Sequence, residues 1–160
     1  MRLTPLKQFT PKIEIPDGFY LIQDTREQKP LFKSFPWVVE KALKAGDYSI
    51  QGFESVVAIE RKSINDLYGS LGQGRKRFER EMQRLMEYRY KALLIEGTES
   101  QLYQETHRFS ALHPNSIYHS LAKIEVFYGL CIYYASKPKW ARWWTLSRLV
   151  KLFKYLREGE

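Results

Sequence analysis

The chain of 160 residues lacks several features that would assign it to common protein classes. Its single cysteine excludes an intrachain disulfide and fits a reducing compartment. No apolar run approaches the roughly 18 residues that a membrane-spanning helix needs. The N-terminus has no apolar segment typical of a secretory signal. We therefore expect an intracellular protein without a membrane segment, and we expect Cys131, in an apolar run, to pack in the core.

Several kinds of site are also missing from the sequence. The three histidines have neither cysteine partners nor the HExxH spacing of a zinc site. The glycines form no nucleotide-binding pattern, and no Ser-His-Asp arrangement is evident. Acidic residues are outnumbered by basic ones, 18 to 26, which gives a net charge of +8. This balance favours a polyanionic partner, but it does not separate DNA from RNA or from an acidic protein.

The composition that remains predicts one folded domain. Hydrophobic residues make up 44% of the chain and aromatic residues 15%, which is enough for a core. Residues 1–18 contain three prolines and are predicted to form an extended arm, and residues 19–160 the domain. Neither internal repeats nor an interdomain linker are evident.

Periodicity predicts strands that alternate with helices. The predicted strands are 19–23, 37–43 (with helix as the alternative), the two strands of a hairpin over 47–60, 91–97 and 130–135. The predicted helices are 63–71, capped by Ser63, then 75–90, 114–128 and 136–157, and 98–112 is predicted to be a loop with a helical turn. This order indicates an α/β fold with a mixed sheet flanked by helices.

The hairpin carries the most informative polar residues. Asp47 enters its first strand and Glu60 leaves its second, so pairing of the strands would bring the two carboxylates together. Because side chains alternate across a strand, Glu60 and Lys62 are predicted on one face and Arg61 on the other. Two carboxylates beside an ammonium group suit a hard cation such as Mg²⁺ and a phosphate. This combination is typical of sites that cut phosphodiester bonds.

These residues also carry a family resemblance. Gly46-Asp47, Glu60-Arg61-Lys62 and Asp66 resemble, in order and spacing, the signature of the XPF-type structure-selective endonucleases. This family is a branch of the restriction-endonuclease-like nucleases. Asp24-Thr25-Arg26-Glu27 is similar to the first block of the family. Weaker similarity extends over 74–90, 91–97 and 113–129, so the resemblance covers the chain from about Phe19 onward.

The resemblance implies a fold, an activity and a set of site residues. It implies a restriction-endonuclease-like mixed sheet and a metal-dependent DNA endonuclease selective for branched DNA, such as 3′ flaps, forks or nicked junctions. Asp24, Asp47 and Glu60 would bind Mg²⁺, for which Mn²⁺ would substitute. Lys62 would orient or deprotonate the attacking water and stabilise charge on phosphorus.

Four residues are predicted to support this site. Arg26 would clamp a phosphate, a task that suits the planar guanidinium group. Glu27 and Arg61 would lie behind the site, with a simple ion pair as the alternative. Asp66 matches the family motif, but its spacing from Ser63 equally fits a capping box.

A basic stripe on the helix over 75–90 is a candidate DNA contact. Arg75 follows the flexible Gly-Gln-Gly segment, and Arg77, Arg80 and Arg84 recur at spacings of three and four. The alternative is an ordinary solvated helix face, since glutamates are interspersed.

Self-association is predicted through the C-terminal helices. The helix over 136–157 is apolar over more than one stripe and rich in tryptophan, so we expect a homodimer, or a heterodimer with a related subunit. Helix 114–128 is a second candidate surface, and the alternative is that the tryptophans belong to the core. Many relatives carry a helix–hairpin–helix module that this sequence lacks, so the basic stripe or a partner would have to engage DNA.

A second functional class stays open. The same superfamily contains non-catalytic DNA-binding or scaffold subunits whose acidic cluster has eroded. Here the acids and the lysine of the motif are all present, which favours the enzyme. An RNA nuclease or a restriction-type enzyme is a remoter alternative.

Overall fold

A computed structural model describes residues 12–104 and 111–159 as a six-stranded sheet with helices on both faces. The strands are β1 (Leu21–Gln23), β2 (Val38–Glu40), β3 (Tyr48–Ile50), β4 (Val57–Ser63), β5 (Tyr90–Glu96) and β6 (Cys131–Ala135). The helices are α1 (Ile64–Leu71), α2 (Arg75–Leu85), α3 (Glu99–Gln104), α4 (Pro114–Val126) and α5 (Pro138–Glu158).

The sheet is mixed, as predicted. Its order is β2-β1-β3-β4-β5-β6. Strands β4, β5 and β6 run parallel to one another, and β1 runs parallel to β2. Strand β3 is antiparallel to both β1 and β4. The predicted hairpin is therefore confirmed, and its two strands lie at the centre of the sheet.

Two separate cores cover the two faces of this sheet. Along β5, Leu93 and Ile95 pack with α1, α2 and α4, whereas Ala92 and Leu94 pack on the other face with α5. This alternation follows from the period of two of a strand. Strands buried on both faces explain why the run over 91–97 is apolar throughout.

Most predicted boundaries hold within a few residues. For 37–43 the predicted strand is confirmed and the helix alternative was wrong, because Val38–Glu40 pairs with β1. The helix predicted over 75–90 ends at Leu85, where the Tyr88 N–H donates to the Leu85 carbonyl in a turn that leads into β5. As a result Met86, predicted in the apolar stripe, is 43% exposed.

The helix starts follow the local sequence. Ser63 caps α1 by accepting a hydrogen bond from the Asp66 N–H at 3.0 Å. His113 caps α4 through Nδ1, which accepts from the Asn115 N–H at 3.2 Å. Both caps satisfy N–H groups that the first helical turn leaves free.

The expectation for Cys131 was wrong. Its side chain is exposed, because β6 is the edge strand and Cys131 is its first residue. In the region predicted as a loop over 98–112, α3 occupies Glu99–Gln104, and 105–110 lies outside the described residues.

The predicted arm over 1–18 is described only from Lys12 onward. In that part Ile13 and Ile15 pack against the core beneath α5, and the Arg157 guanidinium donates to the Asp17 carbonyl at 2.9 Å. Within 12–104 and 111–159, no helix is both long and apolar enough to cross a membrane.

Candidate active site

The hairpin register places Asp47 beside the functional part of β4. Tyr48 pairs with Ile59, and the Asp47 N–H donates to the Ile59 carbonyl at 2.8 Å. Gly46, with φ +77°, permits this approach, since a Cβ there would lie 3.1 Å from the Ile59 oxygen. The Asp47 Oδ2 in turn accepts from the Arg61 N–H at 2.7 Å. The Asp47 carboxylate therefore lies next to Glu60.

The predicted alternation along β4 is confirmed. Lys62 Nζ lies 3.3 Å from Glu60 Oε1 on one face, and the Arg61 side chain lies on the other. Lys62 also lies 3.8 Å from Glu81 Oε2 of α2. Burial alone would lower the pKa of Lys62, but Glu60, Glu81 and Asp47 outweigh it and raise that pKa. Lys62 is therefore an ammonium at neutral pH.

A polar cavity of about 140 Å³ opens above these side chains. It lies between β4, the ends of β1 and β3, and α2. Its charged lining consists of Asp24, Arg26, Lys44, Asp47, Glu60, Glu81 and Arg84. Acidic groups at its floor and arginines at its wall give it the charge pattern of a site for a cation and an anion together.

The two hairpin carboxylates are held in an environment that opposes their ionisation. Burial raises the pKa of Asp47, and the charge of Glu27 adds to the rise. Burial likewise raises the pKa of Glu60, followed by the nearby charge of Asp47. Both effects disfavour two anions in a small, partly desolvated space. Perturbed acids that share a cleft are typical of functional sites.

Asp24 lies at the same cavity but is bound by an arginine. Its carboxylate accepts from Arg26 Nε at 2.8 Å, from Arg26 Nη2 at 2.9 Å and from the Leu43 N–H at 2.8 Å. Burial alone would raise the pKa of Asp24, but these hydrogen bonds outweigh it and hold the pKa below its usual range. The Asp24 side chain is 1% exposed and that of Arg26 is 71% exposed. The pair therefore has a fixed carboxylate and a guanidinium that borders solvent.

On the opposite face of β4, the charges are matched. Arg61 donates to Glu27 Oε2 at 2.7 Å and lies 2.6 Å from Glu96 Oε1. Tyr48 donates its hydroxyl to the same Glu27 at 2.7 Å. Glu27 and Arg61 thus form an ion pair, which was the alternative to the predicted place behind the site.

The donor set fits a hard divalent cation. Asp47 and Glu60 supply carboxylate oxygens of the kind that Mg²⁺ and Mn²⁺ prefer. A cation between them would offset the repulsion from Asp47 that adds to the effect of burial on the pKa of Glu60. Within residues 12–104 and 111–159, no group of three or more acidic, histidine or cysteine side chains is arranged to hold a metal ion. Asp24, predicted as the third ligand, instead contacts Arg26.

Glu81 is a site residue that the sequence interpretation passed over. It is one of the glutamates interspersed in the basic helix, yet it lines the cavity and contacts Lys62. Its position was readable, since Glu81 lies three residues after Phe78 and four before Leu85, both buried. A glutamate at the border of a buried helix stripe is placed to face an adjoining cleft.

The remaining predicted residues are dispersed. Arg75 donates to the Leu71 carbonyl at 3.0 Å and to Ser120 Oγ at 3.1 Å, so it joins α1 to α4. Arg84 lines the cavity, while Arg77 and Arg80 are exposed on α2. Asp66 is exposed, and its N–H makes the cap hydrogen bond.

Comparison with known proteins places this arrangement in a family. A family model described as the ERCC4 domain matches residues 23–143. Among curated proteins no match was found. The solved structure of XPF from Aeropyrum pernix is similar, with 25% identity and a TM-score of 0.62 over 83% of this chain and 60% of that chain.

A second structure, of XPF from Aeropyrum pernix in complex with DNA, gives 24% identity and a TM-score of 0.62 over 84% of this chain and 64% of that chain. The present chain thus spans less than two thirds of the chains it resembles. The fold is the restriction-endonuclease-like fold of the XPF nuclease domain, as expected. Because the family match covers more than half of the sequence, the chain belongs to the ERCC4 domain family and is an XPF-type nuclease domain.

Proposed function

We propose that the protein is a metal-dependent DNA endonuclease that hydrolyses phosphodiester bonds at the α2 face of β4. The observation that carries this proposal is the half-buried pair Asp47 and Glu60. The pKa values of both are raised, both line one cavity, and Glu60 contacts Lys62. Mg²⁺, or Mn²⁺ in its place, would be bound by these two carboxylates. When bound, the ion polarises a phosphate and lowers the pKa of bound water.

Lys62 has a role that its protonation state defines. Since neighbouring acids keep it an ammonium, it orients the attacking water and neutralises charge that develops on the phosphate oxygens. It does not remove the proton in this charge state. Its contacts with Glu60 and Glu81 hold the ammonium at the cavity.

Arg26 and Asp24 are proposed to exchange partners when substrate binds. Arg26 is exposed and can turn to a DNA phosphate, which it would bind bidentately. Asp24 would then be released to serve as the third carboxylate of the metal site. This exchange reconciles the predicted roles of both residues with their mutual contact in the free protein.

The substrate is proposed to be branched DNA, such as a 3′ flap, a fork or a nicked junction. Support comes from the family membership and from the similarity to XPF, one structure of which is a complex with DNA. By resemblance the products would be a 5′-phosphate and a 3′-hydroxyl. Arg84 at the cavity, with exposed Arg77 and Arg80 beside it, would contact the backbone on the same side. Arg75 would join them only by leaving Leu71 and Ser120.

Self-association is proposed through the C-terminal helices. Exposed apolar side chains lie along α4 and just after it: Tyr118 at 58%, Val126 at 87% and Phe127, which caps the helix, at 61%. Tyr118 and Val126 are eight residues apart and so share a helix face. In α5, Trp144 is buried and stacks on Tyr133, so this tryptophan belongs to the core. The α4 face is therefore the better candidate for a homodimer or for a heterodimer with a related subunit.

Cleavage of labelled DNA tests the proposal. We expect a 3′ flap and a fork to be cut with Mg²⁺ or Mn²⁺ and to stay intact with EDTA, and a linear duplex to be cut poorly. Lys62→Ala should lower the rate by about 100-fold or more. Lys33→Ala, which removes an exposed lysine outside the cavity, is the matched control and should cut normally. Undiminished cutting by Lys62→Ala would overturn the assignment.

The alternative function is a non-catalytic DNA-binding or scaffold subunit. It is favoured by one observation, that Asp24 is bound by Arg26 instead of completing an acidic cluster. Under this alternative, DNA would bind tightly in EDTA and no metal would produce cleavage.

A further inference from the structure

A larger cavity lies on the other side of the molecule, between α5 and the sheet. Its volume is about 490 Å³, and its floor is apolar, formed by Val57 and Ile59 of β4 and Ala92 of β5. Trp144 and Leu152 of α5 form one wall. The small side chain of Ala92, together with the edge position of β6, leaves this space unfilled between helix and sheet.

The rim of this cavity is cationic. Arg148 and Lys151 line it and are exposed on α5. Lys91 also borders it, but its ammonium donates to the Tyr88 carbonyl at 2.9 Å, toward the core on the other face of the sheet. The cavity continues into a second depression of about 360 Å³, with which it shares Tyr90, Lys151 and Leu152. We call the two together the α5 groove. Within its lining, Lys154 adds a further cation and Glu158 is the acid.

Aromatic rings border the far end of the α5 groove. Tyr90 and Tyr155 both line it, with ring centroids 6.2 Å apart. The Arg89 guanidinium lies over both rings, at 5.3 Å and 5.7 Å. Tyr155 is one of the large exposed apolar side chains of the described chain. The two rings meet edge to face at 86°, and the ring surface that Arg89 leaves uncovered can stack on other planar groups.

The α5 groove and the candidate active site lie on opposite faces of the sheet. Ile59 points to the groove and Glu60, its neighbour in β4, points to the polar cavity. A DNA segment in the groove is therefore not the segment at Lys62. One branched molecule could occupy both faces, whereas one straight duplex could not.

We propose that the α5 groove binds a single-stranded arm of the DNA. An apolar floor, aromatic edges and a cationic rim are the combination by which proteins bind single strands, because bases stack or bury while phosphates meet the cations. A duplex keeps its bases paired inside and would leave the apolar floor unfilled. This inference rests on the proposed function, since it assigns the groove to the unpaired arm of the same branched substrate.

Charge argues against a second copy of this chain as the occupant. The net charge is +8, and the groove itself carries three cations, Arg148, Lys151 and Lys154, against one acid, so two copies would repel at this surface. A purely acidic peptide such as polyglutamate would pair with the cationic rim but has no aromatic groups to stack at the ring edge.

The single cysteine provides a direct test of occupancy. Cys131 is exposed, lines the α5 groove and is the one thiol of the chain. We expect oligothymidine of about 12 nucleotides to slow the reaction of Cys131 with a maleimide by about tenfold, within the site sizes known for single strands. A duplex of equal charge, or polyglutamate, should protect much less. Equal protection by polyglutamate would replace the proposal with an acidic-peptide site, and no protection by any of the three would overturn it.

Paired variants of α5 test the residues. Arg148→Ala with Lys151→Ala removes two groove cations, and Lys139→Ala with Arg142→Ala removes two cations of the same helix outside the groove lining. By fluorescence anisotropy, the groove pair should weaken oligothymidine binding by about 10- to 30-fold near 0.1 M salt and lower the salt slope by about 1.4. The control pair should change the oligothymidine affinity and the salt slope only slightly. Equal losses in the two pairs would reduce the effect to net charge and contradict the groove.

Cleavage separates this proposal from the proposed function. The groove pair should cut a nicked duplex, which has no single-stranded arm, at the unaltered rate and lose preference for the flap. If the wild-type protein cuts no DNA but oligothymidine still protects Cys131, the nuclease assignment fails and the groove stands. If the groove pair cuts flaps with the normal preference, single-strand binding in the α5 groove is contradicted and the nuclease assignment is kept.

Discussion

The two faces of β4 differ in how completely their charges are matched. On one face, Arg61 lies between Glu27 and Glu96 at 2.7 Å and 2.6 Å, with the Lys29 carbonyl also accepting from it. On the other face, Lys62 lies 3.3 Å from Glu60 and 3.8 Å from Glu81, with Asp47 close by. Arg61 thus belongs to a closed ion-pair network, whereas Lys62, the next residue of the strand, belongs to an open network that is rich in acids.

The matched face stabilises the fold, whereas the acid-rich face has the space and the charge to bind a ligand. Short hydrogen-bonded contacts around Arg61 join β4 to β5 and to the segment after β1, so that network stabilises the fold. Burial, together with repulsion from nearby acids, raises the pKa values of Asp47 and Glu60. A bound divalent cation would offset this cost of ionising them. Substitutions on the two faces should therefore have different effects.

Removal of one hairpin carboxylate should have the largest effect. Asp47→Asn and Glu60→Gln keep size and remove a metal-binding charge, so cleavage of a 3′ flap should fall below detection, while DNA binding in EDTA changes less than about twofold. Gel-based cleavage and anisotropy measure the two quantities. Robust cutting by either variant would show that the acid-rich face is not the cleavage site.

Disruption of the matched face should instead cost stability. Arg61→Met keeps much of the side-chain volume but leaves Glu27 and Glu96 without their partner in a partly buried position. We expect a loss of about 2–3 kcal/mol in the free energy of unfolding, after allowance for their partial exposure, measured by urea denaturation. Lys41→Met, which breaks the exposed pair with Glu54, is the control and should cost less than about 1 kcal/mol. An equal cost for both would contradict the structural role of Arg61.

Glu81 should show an intermediate effect. Glu81→Gln removes the second acid beside Lys62 and a carboxylate of the cavity. We expect about a tenfold lower cleavage rate at limiting Mg²⁺, with partial recovery at high Mg²⁺. Glu79→Gln is the matched control, because Glu79 lies two residues before Glu81 on α2, outside the cavity lining, and pairs with Lys123. If both variants behave alike, Glu81 has no role at the site.

The pH dependence of stability should be the smallest effect and should have a defined sign. Burial raises the pKa of Asp47 to about 7 and that of Glu60 to about 8, above their values in the unfolded chain. Their contribution to stability is therefore complete below the unfolded values and is lost as pH rises through about 7 to 8. Without metal, Glu60→Gln should melt roughly 2–4 °C above wild type at pH 9, which is about 1 kcal/mol for a domain of this size. At pH 5 the two should melt together, and a variant that is less stable at pH 9 would contradict the shift.

Much of the fold and part of the site could be predicted from the sequence. The two apolar β-branched runs around Gly52 predicted the hairpin, and strand alternation separated Arg61 from Glu60 and Lys62. These are local rules with a fixed period, so they transfer directly to the structure. Residues 34 apart in sequence give no local signal of contact. The sequence alone therefore left open whether Glu27 and Arg61 lie behind the site or form a simple ion pair.

The differences arise where tertiary position decides. Cys131 was expected in the core from its apolar neighbours, but strand order puts β6 at the edge of the sheet. Glu81 was grouped with a basic stripe because only the packing of α2 against β4 reveals which helix face meets the cavity. The guanidinium of Arg26 that binds Asp24 also donates to the Leu43 carbonyl, 17 residues away, a contact for which the sequence gives no local signal.

The most direct test of the contrast between the faces is a calorimetric titration of Mn²⁺ into wild-type protein, Asp47→Asn and Arg61→Met. We expect saturable Mn²⁺ binding to wild type and to Arg61→Met, at a temperature where that variant is folded, and loss of the binding in Asp47→Asn. Equal binding to wild type and Asp47→Asn would contradict the assignment of the acid-rich face of β4 as the metal-dependent centre.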